Sequence, residues 1–583
     1  MLLGLQHMST ADSVSRLPTA KIDHLRNAGA VNSPWRSGAN NDPIKAQNVT
    51  CESIYKLLKS EEPSAGQLEA LIILDRQAQQ ISDQLLNLYV EGGNEWRRFE
   101  RSFWISAMRL SQSFFSAYEH FLRHIRNTAE VSLLETAHSV VVQLFHHRQT
   151  EFLLRFIRFK KRIPGQWKEL HEIYRFAIAR GIATHRIATG PADYTQGVPI
   201  TPEQQYIRLL LLELMNNGHF SPREALWADR WFSRWCSALH LQAYEADTRN
   251  EIEQTCFVVD LDSVDGLDWA ASPSGGSLLF LDPSPLMAMI DEELGLLRNS
   301  DSLRGTLASA GHAGKLALLA KLKPVFDPKL VRTARHDDRT PVDLAVQTIF
   351  SAPNIIQVLY REAMASTKGM PLEGITISPL GQEPYRSSFA VGNGSSPASI
   401  SITENFGVVP EVWQLRDRSD SGSRLRGQID DLNRIIPGSL IAFREGENAP
   451  WTVSVVRRFR RLMVDHVEIG VEHIGRRPRF VKLVAACSRR SDAERTADAA
   501  QKCFAALYLP PSERWPTMPI KTLLLPECNF QVDSTVTLLS SNATYTLRLN
   551  KPLQQQFEFI WTSFTVVDKT DVSSNETSTE ATN

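Results

Sequence analysis

The sequence has few cysteines and no long hydrophobic run, and both absences narrow the class of protein. Its 583 residues include 6 cysteines, which are scattered without a C-x-x-C pair or the Cys/His spacing of a zinc site. Reduced thiols are therefore expected. No apolar stretch reaches the roughly 18 residues that a membrane span needs, and the first residues lack the basic start of a signal peptide. We predict a cytoplasmic protein without membrane insertion.

An excess of charge of one sign is absent as well. The chain has 64 Lys and Arg against 65 Asp and Glu, so no overall field attracts nucleic acid. Phosphate-binding loops, nucleophile elbows, zinc-protease motifs and dinucleotide fingerprints are also missing. We predict that the protein is not an enzyme, holds no metal or cofactor, and binds no nucleic acid polymer.

The first half of the chain has the pattern of consecutive helices. A chain of this length is too long for one core. Apolar residues recur near a 3.6-residue period between about residues 49 and 250, which predicts an all-α helical bundle or irregular solenoid. Ser221, directly before Pro222, has the sequence of a helix N-cap.

The sequence pattern of the second half of the chain predicts mainly strands. The fold class is thus multidomain α+β, with a strand-rich domain and a small C-terminal β unit after the helices. The predicted order is a disordered segment 1–48, a helical domain 49–250, a mixed α/β connector 251–325, a strand-rich domain 326–506, a small β unit 507–568 and a disordered tail 569–583.

Two polar motifs stand beside strand patterns in the second half. Asp417 to Gly422 reads D-x-S-x-x-G, and Arg335 to Arg339 reads R-x-x-x-R directly before a strand pattern. Two further strand patterns follow the second motif, at Trp451 to Arg458 and at Val467 to Glu472. In content and order these motifs resemble the PilZ family of cyclic di-GMP receptors, over about residues 330 to 490. The resemblance implies that the strand-rich domain 326–506 is a PilZ-like antiparallel β-barrel. The family usually separates its two motifs by a few tens of residues, so the longer spacing here implies an insertion in that barrel at about 350–396.

The resemblance implies a cyclic di-GMP site. The implied ligand-binding residues are Arg335, Arg339, Asp417, Ser419 and Gly422, with Arg416 and Arg457 as additional contacts. Arginine forks suit phosphates and guanine edges. An aspartate accepts from the guanine N1 and N2 donors, a serine donates to phosphate, and a glycine permits close backbone approach.

The resemblance also implies a function. We predict a receptor that relays the second-messenger level to an unknown protein partner through the helical region. The alternative is a non-enzymatic interaction scaffold whose PilZ-like domain no longer binds nucleotide. We further expect Asp417 and Ser419 to lie at a surface turn, where a substitution costs under about 0.5 kcal/mol. We also expect a short Gly/Ser linker to be able to replace the insertion.

Overall fold

The computed structural model describes much of the chain. The described residues are 42–59, 63–91, 99–127, 135–160, 163–186, 200–243, 256–269, 277–301, 309–327, 339–366, 408–429, 435–463, 465–485, 503–511, 520–526, 530–539, 543–556 and 558–571. They divide into two compact units. The first includes residues up to 89, 99–151 and 176–202, and the second includes 152–175 and everything described from 203 onward.

The first unit is built from helices. The helices of this part of the chain are α1 Pro43–Leu57, α2 Ala65–Glu91, α3 Glu100–Asn127, α4 Ala137–Phe156 and α5 Gln166–Ala179. The end of α4 and most of α5 belong to the second unit. Asp42 caps α1 by accepting from the backbone N–H of Ile44 at 3.0 Å. This helix begins before the predicted boundary at residue 48.

Further helices belong to the second unit, except for the first residue of α6. They are α6 Pro202–Met215, α7 Pro222–Trp235, α8 Ser284–Asp301, α9 Ser309–Phe326 and α10 Ala352–Ser366. As the sequence predicts, Ser221 caps α7, where it forms a capping box with Glu224. Within the described part of the chain, no helix is long and apolar enough to cross a membrane.

A small antiparallel sheet follows α7. Its strands are β1 Leu241–Ala243, β2 Phe257–Asp260, β3 Leu267–Trp269 and β4 Leu278–Leu281. Their order in the sheet is β1-β4-β2-β3. The region predicted to be helical up to residue 250 therefore ends in a strand that pairs with β4.

The next strands close into a first antiparallel barrel. They are β5 Thr340–Phe350, β6 Glu411–Arg418, β7 Gly422–Gln428, β8 Leu440–Arg444, β9 Thr452–Arg461 and β10 His466–Arg476. The order around the barrel is β10-β7-β6-β5-β8-β9. Alternate residues such as Trp413, Leu425 and Ile469 fill its interior.

The remaining strands form a second closed barrel. They are β11 Arg479–Ala485, β12 Cys503–Leu509, β13 Thr522–Leu525, β14 Thr535–Leu539, β15 Ala543–Gln555 and β16 Ile560–Asp571. Their order is β11-β12-β13-β16-β15-β14. The predicted layout of helices first and strands second is confirmed. The small β unit proves to be a full barrel, and the predicted boundary at residue 506 falls inside β12.

The predicted insertion contains helix α10, which packs as part of a core. Ile355 and Leu359 of α10 are buried in one apolar cluster with Leu440 and Val453 of the first barrel and Leu507 of the second. The expectation that a short linker can replace this segment is therefore wrong for α10, because its removal exposes that cluster to water. The strand pattern expected at 398–402 lies outside the described residues.

Candidate functional site

The D-x-S-x-x-G motif forms the hairpin turn between β6 and β7. Ser419 closes the turn, because its backbone N–H donates to the carbonyl of Gly422 at 2.7 Å. The Gly422 N–H in turn donates to the Ser419 hydroxyl at 3.2 Å. A Cβ at Gly422 would lie 2.5 Å from the backbone oxygen of Val471 on β10. Only glycine therefore allows β7 to approach β10 this closely.

Asp417 lies between two arginines at the end of β6. Arg339 donates from Nη1 to Asp417 Oδ1 at 2.9 Å. The Nε of Arg424 lies 2.6 Å from Asp417 Oδ2, close enough for an ion pair although poorly aligned for a hydrogen bond. The Asp417 side chain is only 7% exposed, against 33% for Arg339. Asp417 is thus a buried anchor that fixes two guanidinium groups.

A shallow pocket opens beside this anchor. Its volume is about 450 Å³, and its lining residues are Pro341, Val342, Asp343, Arg416, Arg424 and Arg426. Carboxylates moderate its charge: Asp343 accepts from Arg416 at 2.7 Å, and Glu468 lies 3.1 Å from Arg426. Arginines on a pocket wall present planar forks, which suit a phosphate or a guanine edge.

A buried histidine supports the turn from inside the barrel. The ring nitrogens of His473 lie 3.0 Å from the Ser423 hydroxyl and 2.9 Å from the Ser454 hydroxyl. Its backbone N–H donates to the carbonyl of Ser421 at 2.9 Å. Burial, with a smaller effect of the Arg476 charge, lowers the pKa of His473 from 6.5 to about 3. A neutral His473 therefore holds the turn to β9 and β10.

The predicted site residues do not all come together. Arg339, Asp417, Ser419 and Gly422 lie at the turn, and Arg416 lines the pocket beside it. Arg335 lies outside the described residues. Arg457 instead pairs with Glu472 and donates to Gln554 of the second barrel at 2.9 Å, and it lines a different pocket with Pro437 and Gly438.

The geometry also changes the expected role of Asp417. The sequence predicts that its carboxylate accepts from guanine, but both of its oxygens face arginines in this structure. Contact with a guanine would require one of these ion pairs to open. The expected surface position is wrong too, because Asp417 is buried.

The site residues predicted from the sequence do not include Arg424 and Arg426, which line the pocket. Apolar and charged residues alternate along β7, which indicates that the two arginines share its outer face. In the structure Leu425 points into the barrel, and the residues on either side of it point out. His473 gave no signal, because a single histidine in a strand has no motif around it. Among the described residues, no group of three or more His, Cys, Asp or Glu side chains forms a metal site.

Comparison with known families adds a second observation, in the other half of the chain. Residues 37–247 match the family model described as the N-terminal domain of the cyclic-di-GMP receptor FimW. This segment is therefore similar to part of a cyclic di-GMP receptor, and it includes α1 to α7. The helical half, which sequence analysis left unassigned, thus carries a resemblance of its own. No curated protein and no solved structure matches the chain at a significant level.

Proposed function

We propose that this protein is a cyclic di-GMP receptor of the PilZ type, acting in the cytoplasm without enzymatic activity. The observation that carries the proposal is the pair of arginines, Arg339 and Arg424, held on Asp417 beside a pocket. The similarity of residues 37–247 to part of a cyclic di-GMP receptor supports the same ligand from the opposite end of the chain.

The proposed binding chemistry uses preorganised cations. Arg339 and Arg424 present guanidinium groups whose directions Asp417 fixes, so little side-chain freedom is lost when a phosphate binds. Arg416 and Arg426 extend the positive wall of the pocket. Ser419 holds the turn that places Asp417, and its hydroxyl lies at the exposed rim of that turn.

The proposed relay uses the helical region. A receptor has to change its affinity for a partner when the ligand binds. The arginine pocket lies in the barrel, and residues 37–247 resemble a separate domain of a receptor. We therefore assign the partner-binding role to the helices within residues 37–247.

Calorimetric titration of the full chain tests the proposal, with cyclic di-AMP and GTP as comparison ligands. We expect cyclic di-GMP to bind more tightly than either comparison ligand. Asp417→Asn keeps the side-chain shape but removes the charge that orders the arginines, so affinity should fall more than tenfold, or roughly 1.5–3 kcal/mol.

The matched control is Asp291→Asn. Asp291 is also an ion-paired aspartate, 2.7 Å from Lys323, but it lies outside the pocket. It should leave affinity unchanged. Absence of cyclic di-GMP binding to the unmodified protein would instead favour the interaction scaffold.

A further inference from the structure

A second basic cleft lies where the helical segment of the second unit meets the first barrel. Its volume is about 600 Å³. Its cationic wall consists of Lys160, Arg458, Arg460 and Arg461, and its carboxylates are Glu213 and Asp265. The excess of positive groups attracts anions. The volume lies within the range of about 300–1,000 Å³ that is usual for small-molecule sites.

The cleft is built on a fixed backbone contact. The first residues of β9 pair with β8, and its last residues extend past β8 to the loop that follows α6. There the Phe459 N–H donates to the Gly218 carbonyl at 2.9 Å. Gly218 has φ of +82°, and a Cβ there would lie 2.3 Å from the Phe459 oxygen. The rings of Phe159 and Phe459 also pack, with centroids 4.5 Å apart. The walls of the cleft are therefore held together before any ligand arrives.

The strand register connects this cleft with the Asp417 pocket. Gly470 of β10 pairs with Arg424 of β7 on one side and with Arg458 of β9 on the other. Laterally paired residues share one face of a sheet, so both arginines point outward across a position that has no side chain. Two strand spacings separate them, about 10 Å. One row along, Glu468 stands between Arg426 and Arg460 in the same way.

We propose that this cleft is a second binding site, for a phosphate-bearing nucleotide, on the same outer face as the Asp417 pocket. Arg458 and Arg460 bind phosphate with their guanidinium forks, and Lys160, which follows α4 in the chain, adds a point charge. The ligand thereby contacts both the helical segment and the barrel. Binding in the cleft does not require a ligand in the Asp417 pocket. Its two possible occupants are a second molecule of cyclic di-GMP and a linear nucleotide.

Stoichiometry measured by calorimetry on the full chain tests the proposal, with cyclic di-GMP, GTP and inorganic phosphate as probes. The test variant is the double substitution Arg458→Gln and Arg460→Gln, at two exposed positions. The control is Arg548→Gln, at an exposed position in the second barrel. We expect either two cyclic di-GMP per chain or one cyclic di-GMP and one GTP. The double variant should weaken only one binding step, by more than tenfold.

The outcomes separate this inference from the proposed function. One outcome would exclude the cleft as a site. In it, a single cyclic di-GMP binds per chain, Asp417→Asn abolishes this binding, and the double variant changes the binding of neither cyclic di-GMP nor GTP. If GTP binds through Arg458 and Arg460 while cyclic di-GMP does not bind, the cleft stands and the proposed receptor function fails. Binding of inorganic phosphate alone would show that the cleft does not recognise nucleotides.

Discussion

Arg339 and Asp417 form an ion pair at 2.9 Å although 78 positions separate them in the sequence. The pair joins the start of β5 to the end of β6, on either side of the segment that contains α10. It brings an arginine of one motif onto the aspartate of the other.

Substitution Arg339→Lys should weaken cyclic di-GMP binding more than tenfold although it conserves the charge. Lysine offers a point charge and cannot hold Asp417 and a phosphate in one plane, as an arginine fork does. The measurement is the dissociation constant by calorimetry. Arg418→Lys is the matched control, since Arg418 pairs with Glu445 at 2.9 Å outside the pocket. Equal losses in both variants would mean that only total charge matters.

Substitution Gly422→Ala should destabilise the first barrel and weaken ligand binding together. The new Cβ would overlap the Val471 backbone oxygen at 2.5 Å, and a backbone atom cannot rotate away as a side chain can. Such overpacking costs about 1–3 kcal/mol. Hydrogen exchange of β7 and β10 would measure the loss.

The control for this substitution is Gly295→Ala in α8. Nothing lies within 4 Å of the Cβ position of Gly295, so alanine should be neutral or stabilise the helix by about 0.5–1 kcal/mol. Undiminished exchange protection in Gly422→Ala would show that β7 and β10 can separate without cost.

The stability of the first barrel should fall as pH decreases from 6.5 towards 3. The folded state keeps His473 neutral because its pKa is about 3, whereas the unfolded chain takes up a proton near pH 6.5. The unfolded state then binds more protons, so the free energy of unfolding decreases by up to about 1.4 kcal/mol per pH unit. Below pH 3 this contribution is already lost.

His473→Gln should flatten that slope, since glutamine can donate and accept but does not titrate in this range. The readout is hydrogen exchange of β10 at several pH values, corrected for the intrinsic rate. His466→Gln, at a partly exposed position of the same strand, is the control. If both variants keep the slope of the unmodified protein, then His473 is not its source.

Substitution Tyr118→Phe should destabilise the helical unit. The Tyr118 hydroxyl donates to Asp75 at 2.9 Å, and His147 and Gln79 contact the same buried carboxylate. Burial is the largest single effect and raises the pKa of Asp75. The charges of His147 and His146 and the hydrogen bonds from His147 and Tyr118 together outweigh it, so the pKa lies below its usual value of 3.8. Removing a hydrogen bond to this charged group costs about 1.5–3 kcal/mol.

Denaturant unfolding, monitored by hydrogen exchange of α2 and α3, would measure this cost. Tyr55→Phe is the control, because Tyr55 is 70% exposed in the same unit. The lowered pKa of Asp75 also means that its contribution is present above pH 3.8 and is lost as the pH falls below that value. Equal stability of the two tyrosine variants would contradict a role for the Asp75 hydrogen bonds.

Local features of the molecule could be predicted from the sequence. Ser221 and Glu224 form their capping box within one helical turn, and Ser419 and Gly422 form their turn within one hairpin. Residues a few positions apart in the chain decide such structures, so no other part of the molecule has to be known. The same holds for the change from helical to strand patterns, which predicted the α+β layout.

Tertiary structure alone decided which distant residues meet. Arg424 and Arg458 face one surface because β7 and β9 both pair with β10, and α10 is buried because two barrels lie against it. The predicted boundary at residue 506 falls inside β12, because a strand pattern does not show which barrel the strand will join. Strand partners depend on which apolar faces are covered together, and that choice involves residues far apart in the chain.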